Sequence, residues 1–429
     1  MTTGAIILLT VFFSTLFLNV PIAICLGLSS VVALLLTSDI PHMVIMQSMF
    51  GNTNNFTLMA VPFFILAGNL MQNGGVSKRL INFCKIIVGG FPGGLGHVAI
   101  LASMIFAAIS GSGPATVAAL GLITIPNMAQ AGYDKSYACA LQAAAGGIGV
   151  IIPPSIPMVV YAALASTSVA AMFAGGIIPG IIIGILLMTV NYYLSKKRGY
   201  GGEVIERSPK IIWNSFKEAF WALLMPVIIL GGIYSGVFTP TEAAGVAVIY
   251  GFIVGAFIYK ELDLRGIKKM LIDSAIMTSV CMIIMAMAAP FAWVITSEQV
   301  AVKIADFFST FTSKYIFLLT VNLIFLLIGC FMSSLAALII VTPLFLPILQ
   351  TLDINLIHFG VMMVINLELG MMTPPFGVNL FVACGIGRIT IEQIALKVLP
   401  FVIATIIGLF MIAYIPQLIT FLPSLLGLM

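Results

Sequence analysis

The sequence predicts an all-α polytopic membrane protein built as two inverted-topology repeats, each with a re-entrant helical hairpin and a broken helix. Three observations carry this. First, 61% of the 429 residues are hydrophobic and only 7% charged, at a mean hydropathy of +1.20, more apolar than a water-facing globular surface tolerates. Second, a serine-glycine break, Ser110-Gly111-Ser112-Gly113-Pro114, and a double proline, Pro153-Pro154, interrupt long apolar runs. Such breaks survive at membrane depth only where the freed backbone groups are buried in protein or line a polar cavity, because lipid cannot hydrogen-bond them. Third, the same landmarks recur at one constant offset without a gap: Ser112 falls on Ser333, Pro126 on Pro347, Gly149 on Gly370, and Pro153-Pro154 on Pro374-Pro375.

The first repeat is taken as residues 1–220 and the second as 221–429. Residues 5–36 are too long for one ordinary span of about twenty residues, and Asn19-Val20-Pro21 interrupts them, so two helices joined by a tight turn are expected. Their mirror is 221–259, broken at Thr239-Pro240-Thr241-Glu242. A span follows at 58–71. In 76–88, Lys78, Arg79 and Lys85 are mixed with Leu80, Ile81, Phe83 and Ile86, which suits a helix lying in the interface. Its counterpart is 299–311. With both non-crossing, each half has an odd number of crossings, which inverts the second half relative to the first. Residues 93–129 enter, turn at the serine-glycine break and leave on arms somewhat short for full spans, as in a re-entrant hairpin. The second hairpin, 314–349, turns at Ser333-Ser334. A helix broken at Pro-Pro follows each hairpin, at about 135–165 and about 355–386. Two tips and two breaks then meet near the midplane.

Charge placement orients the chain. Lys196, Lys197, Arg198, Arg207, Lys210 and Lys217 share one loop and Lys260, Arg265, Lys268 and Lys269 another, and the positive-inside rule puts both in the cytoplasm. Carried outward, this leaves only Lys303 and Lys314 of the eighteen Lys and Arg outside, with both termini outside and residues 38–57 forming an external segment. The N-terminus lacks a positive n-region and a small-residue cleavage site, so its first apolar run reads as a span. The six cysteines are scattered without a C-x-x-C spacing and read as buried free thiols. His42, His97 and His358 are far apart, which argues against a metal site or proton relay, and the 24 Met residues read as core filler. No G-x-x-x-x-G-K loop for ATP is present. No polar stretch is long enough for a soluble domain, so any soluble component is expected to be another chain. No nucleic-acid partner is expected.

The chemistry is expected at the tips. A helix restarts there, with Ser112 or Gly113 placed as N-cap before Pro114, and Ser333 or Ser334 placed to cap the second restart. Amides freed at helix starts favour an anion, and carbonyls at the ends of the preceding arms favour a cation. The candidate anion-binding residues are Ser112, Gly113, Pro154, Ser155, Ser334, Pro375 and Asn379. The candidate sodium ligands are Ser110, Ser112, Gly149, Ser333, Gly370 and Thr373, with Thr116 as a further hydroxyl. A packing or capping role is the alternative for each serine. Glu368 is the one carboxylate well inside an apolar span. It is a candidate for holding a cation or proton, or alternatively for anchoring the Thr373-Pro-Pro break by hydrogen bonds. Glu242 and Asp134 read as helix caps, and Gln142 as a weaker polar candidate. Gly111-Ser112-Gly113 also looks like a serine nucleophile site, but no base is expected within reach, so an enzyme is not expected. A channel is disfavoured because polar residues gather at two tips and do not line one helix face.

Five stretches, in order, resemble the large membrane subunit of tripartite ATP-independent periplasmic (TRAP) transporters. They are Pro62-Phe-Phe-Ile-Leu-Ala-Gly68, the ISGSGPATVAA run from Ile109 to Ala119, Gly149-Val-Ile-Ile-Pro-Pro-Ser155, Val237-Phe-Thr-Pro-Thr-Glu-Ala-Ala244 and Thr373-Pro-Pro-Phe-Gly-Val-Asn-Leu-Phe381. The resemblance implies a sodium-coupled elevator-type importer of small carboxylates in the bacterial inner membrane. It implies no cofactor beyond sodium as coupling ion, a small four-helix membrane subunit and a soluble periplasmic substrate-binding protein. The small subunit is not expected to be fused to the N-terminus, since the chain starts at its first span. The wording most resembles the sialic-acid branch, with C4-dicarboxylates and other sugar acids as alternatives, and a self-sufficient sodium- or proton-coupled carboxylate transporter as the other reading. At the second tip the family pattern often has Asp after Phe-Met where this chain has Ser333, so that position supplies no charged ligand.

Overall fold

The computed structural model describes residues 2–37, 43–202, 208–300 and 314–429, and the secondary structure of these is helical throughout. Helices α1 (Thr3–Phe17) and α2 (Ile22–Thr37) pack on each other, and the chain reverses at Asn19 with φ +59°. The next helix, α3 (Met43–Thr53), lies in a stretch expected to be an external segment. Its Asn52 Nδ2 donates to Met285 O at 2.7 Å, and packing against the later helix of Met285 holds it. The stretch lacks a strong apolar period, so neighbours decide its state. A 3₁₀ turn leads into α4 (Ala60–Asn73), followed by α5 (Val76–Val88), in which Val76, Leu80, Ile81 and Cys84 are buried on one face while the lysines stay outside.

The first hairpin is α6 (Gly94–Ser110) and α7 (Gly113–Gln130). Gly111 closes α6 at φ +61°, a conformation glycine adopts without steric cost, and an added Cβ there would also meet the Pro154 carbonyl at 2.8 Å. The first broken helix is α8 (Lys135–Gly147), one 3₁₀ turn, the Pro153-Pro154 break and α9 (Ile156–Ala165). Then come α10 (Val169–Arg198), α11 (Pro209–Tyr234), α12 (Pro240–Ile253) and the 34-residue α13 (Leu264–Ser297). The segment expected at 299–311 lies, from residue 301 on, outside the described residues. The second hairpin is α14 (Lys314–Phe331) and α15 (Ser334–Thr351), and the second broken helix is α16 (Leu356–Met371) and α17 (Val378–Gly387). Helices α18 (Ile391–Tyr414) and α19 (Gln417–Leu425) close the chain. Both double prolines are cis.

Eight helical segments among the described residues are long and apolar enough to cross a membrane. Apolar side chains such as Val227, Ile276, Leu323 and Ile403 stay exposed on them, a surface that suits lipid. The chain is a multi-pass membrane protein. Two groups of helices pack mainly within themselves. One is α1–α5 with α11–α13, and the other is the two hairpins and broken helices with α10, α18 and α19. Buried amides tie the second group together. Asn366 Nδ2 donates to Asn322 Oδ1 at 2.6 Å between α16 and α14, and Thr124 Oγ1 donates to Gln142 Oε1 at 2.7 Å between α7 and α8.

Candidate functional site: a cavity between the two hairpin tips

A cavity of about 350 Å³ opens where the groups meet. One side is made of both tips, Ser110 to Ala115 and Ser333 to Leu335, and the other of α4 and α13. Among the described residues lining it, none is charged. Helices α7 and α15 both start at this cavity, so their first amides, which have no intrahelical partner, lie beside it with the positive ends of the helix dipoles.

Ser112 occupies the N-cap position of α7, but its hydroxyl makes no capping bond. At the second tip the Ser333 hydroxyl does cap, accepting from Ala336 N at 3.4 Å. Ser334 is buried at the first position of α15, and its N–H points at Met371 Sδ, 3.3 Å away. Of the expected anion contacts, Ser112, Gly113 and Ser334 line the cavity, whereas Pro154, Ser155, Pro375 and Asn379 do not. Ser155 caps α9 by accepting from Met158 N at 3.4 Å, and the Pro154 carbonyl packs against Gly111.

The expected sodium ligands of the first half come together. Ser110 Oγ and Thr116 Oγ1 are 2.7 Å apart, and Thr116 Oγ1 donates to Ser112 O at 2.8 Å. An added methyl on Gly149 would reach within 2.5 Å of Thr116 Oγ1 and 2.7 Å of Ser112 O, so the broken helix approaches the tip as closely as a bare backbone allows. Two hydroxyls and the Ser112 carbonyl thus form a cluster of hard oxygens against Gly149, a donor set suited to an alkali cation.

The second half is arranged differently. Gly370 packs on the backbone of Gly329 and Cys330, and Gly329 in turn lies against the Leu367 carbonyl. The Thr373 hydroxyl donates to Leu369 O at 2.7 Å, and no hydrogen bond links it to Ser333 among the described residues.

Glu368 is 1% exposed. Its Oε1 accepts from Asn379 Nδ2 at 2.8 Å, the Ser334 hydroxyl also interacts with the carboxyl group, and Asn379 Oδ1 has no hydrogen-bond partner among the described residues. An added methyl on Gly113 would run into Oε1, and one on Gly147 would come within 3.6 Å of Cγ. The carboxylate of the second broken helix therefore sits against the first hairpin tip and the first broken helix. That juxtaposition crosses the repeats and is not visible in spacing. Asp134 and Glu242 are caps: Asp134 Oδ1 accepts from Tyr137 N at 3.1 Å, and Glu242 completes a capping box with Thr239. His97 and His358 do not line the cavity, and His358 Nε2 lies 3.2 Å from Ile412 O. His42 is outside the described residues.

The far wall was missed by sequence reasoning. It contains Asn69 and Gln72 of α4, and Met277, Cys281 and Ile284 of α13. Asn69 Nδ2 donates to Ser274 Oγ at 2.7 Å, which holds the amide in place. Two amides three residues apart at the end of an apolar span share one helix face, and this was the available signal.

The profile of the family described as tripartite ATP-independent periplasmic transporter, DctM component, matches residues 9–418. The chain belongs to this family. The family is one of transporters and not of enzymes. Among similar proteins, the isethionate TRAP transporter permease protein DctMQ of Oleidesulfovibrio alaskensis is 44% identical over 404 residues, covering 94% of this chain and 64% of that protein. This chain therefore spans a little under two thirds of that relative. The C4-dicarboxylate TRAP transporter large permease protein DctM of Pseudomonas aeruginosa is 41% identical over 408 residues, 94% of each chain. The sialic acid TRAP transporter large permease protein SiaM of Vibrio cholerae is 39% identical over 411 residues, 96% of each. The crystal structure of the Alcanivorax borkumensis YdaH transporter shares the fold, at a TM-score of 0.64 and 15% identity over 87% of this chain and 88% of that one.

Proposed function

We propose that this DctM-family chain is the large membrane subunit of a sodium-coupled, binding-protein-dependent importer of a small organic anion. The substrate anion binds at the starts of α7 and α15, and sodium binds at the Ser110, Ser112, Thr116 and Gly149 cluster. The observation that carries this reading is the joint placement of an uncharged cavity between two helix starts and a hydroxyl-carbonyl cluster directly behind one of them. Glu368 adds to it. A carboxyl group buried behind the first tip with a neutral amide as its partner needs either a proton or a nearby cation, so it is a second place where a coupling ion would act. The two helix groups support an elevator mechanism in which the hairpins, broken helices and their neighbours move against α1–α5 and α11–α13.

The family description names a tripartite periplasmic system, which supports a small membrane subunit and a periplasmic binding protein as partners, in a bacterial inner membrane with both termini periplasmic. N-acetylneuraminate is the leading substrate, and the C4-dicarboxylate and isethionate relatives keep other small anions in the comparison. The deciding experiment is uptake into proteoliposomes holding this chain, a small subunit and candidate binding proteins, with sodium and proton gradients imposed separately. Sodium-driven uptake is expected, with the half-saturating sodium concentration raised by Ser110→Ala, which removes one hydroxyl of the cluster. Equal uptake on a proton gradient without sodium sinks the sodium reading. Uptake by the chain alone would show it to be self-sufficient.

A further inference from the structure

The two walls of the cavity differ in chemistry, and the difference restricts the substrate. This inference rests on the reading of the cavity as the transport site. On the tip side, helix starts, Ser112 and Ser334 receive one negative charge. On the α4 and α13 side the polar groups are the two neutral amides Asn69 and Gln72, set among Ile65, Met277, Val280 and Ile284. Asn69 is fixed by its bond to Ser274, and Gln72 has no hydrogen-bond partner among the described residues. Among the described residues of the lining, no cation stands beside either amide.

A dianion with one carboxylate at the tips would press its second against this wall without a counter-charge, which is strongly unfavourable away from water. A hydroxyl or N-acyl group there is instead paired by the amides at no charge cost. We propose that Asn69 and Gln72 are specificity-determining residues that select mono-anions carrying a neutral hydrogen-bonding group opposite the acid, and that they reject dicarboxylates.

The test measures thermal stabilisation of the purified full chain in sodium chloride by N-acetylneuraminate, isethionate and succinate. At least one of the first two is expected to act at a concentration about tenfold or more below succinate, as for a lost hydrogen-bond pairing. In Asn69→Leu and Gln72→Leu the advantage falls to about threefold or less. A packing role alone would weaken all three ligands together and leave their ratio intact. Succinate acting as well as the best of the others on the wild-type chain overturns the inference without any variant being made. An unchanged ratio in both variants overturns it as well. Stabilisation by none of the three removes the proposed function itself, and a preference for succinate removes only this inference.

Discussion

Replacing Gly149 by alanine isolates the first oxygen cluster from the rest of the site. The added methyl would lie 2.5 Å from Thr116 Oγ1 and 2.7 Å from Ser112 O, closer than side-chain carbons approach oxygen, and one contact is backbone that cannot swing away. Either the break retreats from the tip or the tip shifts. Overpacking of this kind costs about 1–3 kcal/mol. If that strain falls on the cation-bound geometry, sodium affinity drops by roughly five- to 150-fold, at tenfold per 1.4 kcal/mol. Thr116→Ala removes one hydroxyl and a hydrogen bond worth about 0.5–1.5 kcal/mol, so its effect should be smaller. Gly385→Ala is the control, since an added methyl there meets nothing within 4 Å in the neighbouring broken helix. The assay is the half-saturating sodium concentration for thermal stabilisation of the purified chain, followed by sodium-dependent uptake. A folded Gly149→Ala protein with unaltered sodium dependence refutes the reasoning, because the cluster would then not hold the ion.

Two further outcomes follow from single contacts. Gly113→Ala drives a methyl into Glu368 Oε1 and should lower the melting temperature by the equivalent of about 1–3 kcal/mol. Combining it with Glu368→Ala should recover part of that loss, and strictly additive melting shifts would deny the contact. Asp134 titrates below its ordinary value. Burial alone would raise it, but the Tyr137 N–H and the Lys397 ammonium, 3.3 Å from Oδ2, outweigh that. Its contribution is therefore present above the ordinary carboxylate pKa of about 3.9 and lost as pH falls through the depressed folded value. Asp134→Asn should melt below wild type at neutral pH, with the gap closing on acidification. A gap that persists at the lowest pH would assign the loss to the cap and not to the charge.

Much of the fold was legible because lipid makes local rules strict. The turn at Asn19, the hairpin tips and the Pro-Pro breaks stand where apolar runs are interrupted, since each interruption frees backbone groups that need partners. The capping box at Thr239 and Glu242 and the Asp134 cap were equally local. Helix α3 was not legible, because its state depends on α13 and not on its own period. Nor was the role split between the two tip serines. Ser333 spends its hydroxyl on a cap and Ser112 does not, a difference of backbone geometry that two similar motifs conceal.

By itself, the sequence determined that this is a duplicated multi-pass membrane protein of the DctM family with two helix breaks per half, because composition and interruption act through nearest neighbours along the chain. Only the tertiary structure decided which breaks face each other. It brought Gly149 against Thr116, carried Glu368 across the repeats to Gly113, and set Asn69 and Gln72 opposite the tips. The reason is that close approach between segments far apart in sequence is set by packing volume and shared hydrogen bonds, which leave no periodic trace in any one segment.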